Sequence, residues 1–352
     1  SEAKRLLEKE VKVIEKDSLL SLIYDNFGVL DYKNDSTMQT LVKIINKSYR
    51  KLFKTIIGKK GREILINRVI NNIDKMGFDT IVAMQEGAAT DFASKIKGSK
   101  VAWVRSDYNE YNKIVGMNES DIYEKFKAII CVSEFTKKTF INKYPQLKNK
   151  CYGIHNMIDY DKIIEMSNVQ IEEHELFNRD VFNIVSIGRL SKVKQFDLIP
   201  QVTKDLLDKD MNIRWYIIGD GEERPAINDL IKKYKVENRV FLLGEINNPY
   251  PYIKHSDLVA VTSYSEACPN VLNESKILHT PVITTNFGSA KEFIKSGVNG
   301  VITDEKNIAK DIARLIEDKD YYNVIKSNIQ DFKYSNDEII DRIVNLLRYG
   351  GQ

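Results

Sequence analysis

The chain has 352 residues, of which 43% are hydrophobic and 29% charged, and its formal net charge is +3. That length suits about two domains with real cores, and so small a charge gives no argument for a nucleic-acid partner. No run of ~18 apolar residues is long enough to span a membrane, and the charged opening SEAKRLLEKEVKV lacks the apolar stretch of a secretion signal.

Taken in chain order, short apolar runs alternate with helical patterns. The first predicted strand is 10–16 (EVKVIEK). Residues 38–76 then interleave Leu41, Ile44, Ile45, Leu52, Phe53, Ile56 and Ile57 with Lys43, Lys47, Arg50, Lys51, Lys54, Lys59, Lys60 and Arg62. This basic amphipathic pattern fits a helix with one face in a core. It also fits a helix whose 38–62 stretch lies on anionic lipid. Further strands are predicted at 79–84, 100–105, 127–132 and 149–155, then at 181–187, 213–218, 240–243, 258–262, 281–285 and 300–303. Continuous Val/Ile runs separated by helices are the signature of parallel strands buried on both faces, in right-handed βαβ units. The expected fold class is therefore α/β, with two doubly wound Rossmann-like domains and a cleft between them. The first domain covers 1–160, a polar linker 161–180, and the second domain 181–334. A C-terminal helix, 335–349, packs back on the first.

Cys131, Cys151 and Cys268 are odd in number and widely spaced, which points to a reducing compartment and no thiolate metal site. The four histidines are scattered without ligand spacing. Aspartate pairs at Asp159 and Asp161, Asp208 and Asp210, and Asp318 and Asp320 fall at helix ends or linkers, and are read as solvated caps. No metal is expected.

Three segments carry chemistry. In SIGRLSKVKQFD (186–197) a strand ends at Ile187 and is followed by Gly188, Arg189 and Lys194. Both cations suit a diphosphate, the arginine by a bidentate fork and the lysine as a point charge; an ordinary loop with solvated cations fits the pattern equally. In IIGDGEERPAI (217–227) Gly219 and Gly221 mark a tight strand-to-helix turn, with or without a ligand. In SYSEACPNVLNESKILHTPVITTNFGSAKEFI (263–294) Glu266 and Glu274 bracket seven residues. Pro269 opens a predicted helix, about 269–278, whose free amides form an anion site at the sheet's C-terminal edge. A carboxylate at 274 is placed to accept two bonds from vicinal hydroxyls, as on a ribose, and one at 266 to meet a sugar ring. Two solvated surface glutamates have the same spacing.

The ordered set GRL…K…D, IIGDGEER, the glutamate pair and PVITTNFGSAKEFI resembles the family 4 (group 1) retaining glycosyltransferases of GT-B fold, strongly over 181–304 and more weakly over 78–159. The resemblance is to members that assemble bacterial capsular polysaccharide, exopolysaccharide or teichoic acid. It implies that Arg189 and Lys194 hold the donor's pyrophosphate, that Glu274 binds ribose and that Glu266 contacts the transferred sugar. Gly188, Gly219, the 244–250 loop with Glu245, and the backbone at Cys268, Asn270 and Val271 complete the donor site. Glu86, Arg105 and Asp107 are the acceptor-side candidates.

Three departures stand out. Ala267 and Cys268 follow Glu266 where the family has glycine, and Arg105 stands where it often has histidine. The family's opening strand, Gly-rich loop and Ala-Glu helix is missing ahead of EVKVIEK. The implied activity is metal-independent transfer of a hexose or N-acetylhexosamine from a UDP-sugar, without a cofactor. The acceptor is a glycan, lipid-linked or cell-surface polysaccharide, and the enzyme works in the cytoplasm at the inner face of the membrane. The weighed alternatives are a catalytically degenerate GT-B paralogue serving as a glycan- or partner-binding subunit, and a sugar-nucleotide epimerase of the same fold.

Overall fold

The computed structural model describes residues 58, 60–171 and 180–349, so the strand expected at 10–16 and nearly all of the basic 38–62 stretch lie outside the described residues. The chain divides into two compact units. One comprises Ser1–Val132, Lys137–Ile154 and Ile340–Gln352; the other comprises Ser133–Thr136 and His155–Ile339.

The first unit holds a four-stranded parallel sheet in the order β1 (Thr80–Ala83), β2 (Ser99–Val104), β3 (Ala128–Cys131), β4 (Cys151–Gly153). Helix α1 (60–74) sets Ile70 and Ile73 against Phe92, within α2 (Ala88–Ser94), and Ile96, just after it. Below β2 and β3, Tyr108, Tyr123, Phe126, Phe140 and Tyr144 form an aromatic cluster. Its members come from α3 (Tyr108–Val115), α4 (Ser120–Tyr123), α5 (Glu134–Lys143) and the segments after them. The cluster encloses Glu119, whose carboxylate accepts the Tyr108 hydroxyl at 2.9 Å; burial pushes that carboxyl above its usual range despite the bond. The carbonyl of Leu347, in the C-terminal helix, accepts from the Thr80 hydroxyl at 3.1 Å and from the Lys127 ammonium at 2.6 Å.

The second unit opens with α6 (Tyr160–Ser167) and is built on six parallel strands in the order β10-β9-β8-β5-β6-β7. These are β5 (Phe182–Ile187), β6 (Ile213–Ile218), β7 (Val240–Gly244), β8 (Leu258–Val261), β9 (Val282–Thr285) and β10 (Val301–Thr303). Alternate residues feed two separate cores. Ile184, Trp215, Ile217, Leu258, Ala260 and Ile283 enter one; Val185, Tyr216, Ile218, Val259, Val261 and Val282 enter the other. A sheet covered on both faces is what the unbroken apolar runs demand. The helices are α7 (Leu198–Leu207), α8 (Arg224–Tyr234), α9 (Tyr250–His255), α10 (Asn270–Ile277), α11 (Ala290–Phe293), α12 (Ile308–Glu317) and α13 (Lys319–Asn328), before the C-terminal α14 (Asp337–Tyr349).

The strand order fixes where a ligand site forms. From β5 the chain winds outward through β6 and β7, then returns to the other side of β5 and winds through β8, β9 and β10. Successive loops therefore diverge at the β5/β8 boundary and leave a crevice at the strands' C-terminal ends, where open α/β sheets bind ligands. Buried Ser186 ties the boundary together: its hydroxyl donates to the Ala260 carbonyl at 2.6 Å and accepts the Trp215 indole N–H at 3.0 Å.

The aspartate pairs act at helix ends. Asp159 caps α6 by accepting from the Lys162 amide, and Asp318 caps α13 by accepting from the Tyr321 amide. Asp208 pairs with Lys204 at the end of α7. None of the three cysteines forms a disulfide.

Candidate active site

Three loops meet at the β5/β8 crevice, and glycine is required where they touch. The Gly188 amide donates to the Ile218 carbonyl at 3.0 Å, and the Gly219 amide donates to the Gly244 carbonyl at 2.7 Å. Gly219 has φ +135°, and a Cβ on it would lie 2.0 Å from the Gly188 carbonyl oxygen. The loop after β5 and the loop after β6 are therefore in backbone contact, closer than any side chain allows.

Beyond Gly188 the chain presents Arg189 and Lys194. The Arg189 guanidinium is exposed and lies 3.3 Å from the exposed Glu222 carboxylate. So wet a pair is worth at most about 1 kcal/mol, which leaves the arginine available to a stronger anion. Lys194 is more enclosed. Its ammonium lies 2.5 Å from Oε1 of Glu266, and the Ser263 hydroxyl donates to that same oxygen at 2.7 Å. The surrounding loops are held by hydroxyls. Thr262 donates to the Lys194 carbonyl at 2.7 Å, and Ser289 donates to the Glu266 carbonyl at 2.8 Å. The Tyr264 amide donates to the Val193 carbonyl at 3.1 Å. Lys194 and Glu266, expected to serve different parts of one ligand, are thus joined directly, with Oε1 doubly engaged.

Helix α10 begins at Asn270, one residue after the predicted start; Pro269 is its N-cap in an extended conformation and no side chain caps the first turn. The amides of Asn270 and Val271 therefore open at the crevice side of the sheet. Glu274 follows one turn on. Its carboxylate is half-buried, has no hydrogen bond or ion pair among the described residues, and is pushed by burial to a pKa of about 7. Tyr250, at the start of α9, lies near enough that its hydroxyl pKa is raised, first by burial and then by the charge of Glu274. A carboxylate withdrawn from water without a protein donor is unfavourable unless a ligand supplies the missing bonds. The remaining positions are peripheral: Glu245 is exposed on the loop after β7, Cys268 is half-buried, and the Asn270 carboxamide oxygen accepts from Asn156 at 2.9 Å.

The candidates of the first unit are built differently. Glu86 is buried, and its Oε1 accepts the Arg105 amide at 2.5 Å and the Ser106 amide at 2.6 Å. It therefore latches the loop after β1 to the loop after β2. Asp107 caps α3 by accepting the Asn109 amide at 3.0 Å. The Arg105 side chain is exposed.

Sequence reasoning did not single out Ser263 or Glu222, and it reached Tyr250 only as the last residue of the 244–250 loop. Ser263 left a trace as a hydroxyl residue three positions before Glu266 at a strand end. Among the described residues no group of three His, Cys, Asp or Glu side chains is placed to hold a metal ion, and no helix is long and apolar enough to cross a membrane.

The family described as glycosyl transferases group 1 matches residues 169–332. An uncharacterized glycosyltransferase of Methanocaldococcus jannaschii is 29% identical over 277 residues, 77% of this chain and 64% of the relative. The capsular polysaccharide biosynthesis glycosyltransferase CapM of Staphylococcus aureus is 29% identical over 210 residues, 57% of this chain and 55% of the relative. The chain thus spans less than two thirds of the length of these relatives. The structure of Anabaena HepE in complex with UDP-glucose matches with a TM-score of 0.69 over 80% of this chain and 81% of that one, at 22% identity; at that identity the likeness is one of fold, two parallel-sheet Rossmann-like units of GT-B type.

Proposed function

We propose, from the match of residues 169–332 to the glycosyl transferases group 1 family, that this chain is a retaining glycosyltransferase that moves a hexose or N-acetylhexosamine from a UDP-sugar to a glycan, lipid-linked or cell-surface polysaccharide acceptor. The observation that carries the reading is Glu274, a half-buried carboxylate without a protein partner at the crevice where an open α/β sheet binds ligands. The solved complex of HepE with UDP-glucose and the capsular role in CapM's name support the choice of donor and acceptor class.

In this reading Glu274 accepts the two ribose hydroxyls. Arg189, Lys194 and the open amides of α10 surround the diphosphate and stabilise the charge that grows on it as it departs. Glu266 keeps Oε2 for a sugar hydroxyl, because Oε1 is taken by Lys194 and Ser263. The bond from the sugar's anomeric carbon to the diphosphate oxygen breaks, and the acceptor oxygen bonds to that carbon on the same face. The acceptor's proton passes to the leaving phosphate. Cationic side chains and helix amides do the neutralising, so no metal is required. The enzyme works on the cytoplasmic side, where nucleotide sugars are made, and Arg105 faces the acceptor. Contact of the 38–62 stretch with anionic membrane belongs to the same proposal.

Steady-state turnover of a UDP-, GDP- and dTDP-sugar panel, with and without acceptor, tests the reading. Transfer from UDP-sugars that survives EDTA is expected. Tight nucleotide binding without turnover would instead assign a binding subunit, and an absolute, titratable need for manganese would contradict the charge-neutralisation scheme.

A further inference from the structure

At the C-terminal rim of the second sheet, beyond β9 and the edge strand β10, lies a groove of about 810 Å³. Lys291, Lys295 and Lys310 line it together with Asn286 and Asn307. All five side chains are exposed, and none has a hydrogen bond or ion pair among the described residues. Two carboxylates, Asp304 and Asp311, also line the groove, Asp311 accepting the Thr303 hydroxyl; neither pairs with a lysine among the described residues, and three cations face two anions. The ten-residue helix α12 begins here, and its N-cap Asn307 makes no side-chain capping bond, so its positive end adds to the lysines.

A second hollow of about 440 Å³ shares Asn286 and Asp304 with the groove and is lined at its far side by Ser263 and Thr285. Ser263 is the residue that donates to Glu266. The two hollows therefore make one run along the rim, from Ser263, which touches the carboxylate assigned to the transferred sugar, to the three lysines. Neither Glu266 itself nor Arg189, assigned to the donor diphosphate, lines either hollow.

We propose that the lysine groove is a binding subsite for the phosphate groups of the acceptor, a phosphate-bearing polymer or lipid whose receiving hydroxyl reaches back toward Glu266. The two carboxylates leave the groove with an excess of positive charge and no lysine paired; a diphosphate or a row of phosphodiesters, with charge spread over several oxygens, engages all three. The chemistry of the anion follows from the groove itself. Only its identity as acceptor rests on the glycosyltransferase reading.

The test compares the full chain with the variant Lys291→Ala, Lys295→Ala, Lys310→Ala. These side chains are exposed and unpaired, so the melting temperature should not move. Calorimetry with a short oligo(glycerol phosphate) and flotation with phosphatidylglycerol against phosphatidylcholine vesicles form the two arms. The expected result is binding by the wild type that weakens by at least about tenfold in the variant. The arm that responds names the source of the phosphate, soluble polymer or lipid headgroup. Equal behaviour of the two proteins in both arms overturns the proposal. UDP calorimetry on the same pair separates the two readings, because loss of UDP binding in both proteins would count against the donor site and leave the phosphate comparison standing.

Discussion

Glu86 at the rim of the first sheet and Glu274 at the rim of the second are both drawn back from solvent, yet they are in opposite situations. The first takes two backbone amides on one oxygen and fastens two loops; the second has no partner among the described residues and a pKa of about 7. A buried carboxylate with its bonds made contributes to the fold, while one with its bonds unmade costs stability until something else completes it. The same contrast holds for Asp107, which caps a helix, against the Lys194–Glu266 pair at the β5/β8 crevice, which keeps one carboxylate oxygen free. Polar side chains in similar rim positions are thus told apart by whether the protein already satisfies them.

The largest effect should come from the crevice pair. Glu266→Gln removes the charge opposite Lys194 and, in the proposed mechanism, the contact that strengthens as the sugar becomes positive. kcat/KM should fall by roughly 10²–10³-fold, mostly in kcat, with UDP affinity nearly kept. Wild-type kinetics in this variant would place Glu266 among ordinary surface residues and dissolve the contrast.

Glu274→Gln should separate folding from binding. Its carboxyl pKa is raised from 4.5 to about 7. Below about pH 4.5 both folded and unfolded chains hold the proton and burial costs nothing. Between 4.5 and 7 only the folded chain keeps it, so stability falls as pH rises, and above 7 the full penalty remains. At pH 8 the glutamine variant should therefore melt higher than the wild type, its stability greater by at most about 3 kcal/mol, since each pKa unit is worth about 1.4. Its UDP affinity should nevertheless drop. A variant that melts lower and binds UDP normally would make Glu274 a structural residue like Glu86.

Arg189→Ala tests the exposed cation. Loss of one charge-assisted contact of about 1.5–3 kcal/mol should weaken UDP binding by roughly 10–100-fold without moving the melting temperature. Unchanged affinity by calorimetry would remove Arg189 from the diphosphate. Glu86→Gln should do the reverse: a loss of about 1–3 kcal/mol in thermal unfolding as the amide latch weakens, with UDP affinity as in the wild type. An Arg105→Ala change that lowers turnover while Glu86→Gln lowers only stability would sharpen the division of labour on that rim.

Much of this was legible beforehand, for identifiable reasons. A parallel strand buried on both faces is apolar at most positions rather than at alternate ones, so FNIVSI, IRWYII and VITT stand out without any knowledge of their neighbours. Gly188 and Gly219 stood out too, as glycines at strand ends, although the contact that requires them does not. What could not be read was pairing across the topological reversal. Lys194 and Glu266 are 72 residues apart with three strands between them, and only the strand order makes them neighbours. Nor does any local pattern reveal that Glu86 is satisfied and Glu274 is not, because satisfaction depends on amides and voids brought in from elsewhere. The linker expected at 161–180 illustrates a further limit: its start is the helix α6, whose Ile163 joins a core of the second unit through partners remote in sequence.

The lone carboxylate has one more consequence. Near neutrality about half of the molecules hold a proton on Glu274, and a ligand that donates two hydroxyls to the ionised form expels it. Nucleotide binding around pH 7 should therefore release a fraction of a proton to the medium. The heat measured on titration should then depend on the buffer's own ionisation enthalpy, in Tris very differently from phosphate. The slope of that dependence counts the protons, and in Glu274→Gln it should go flat.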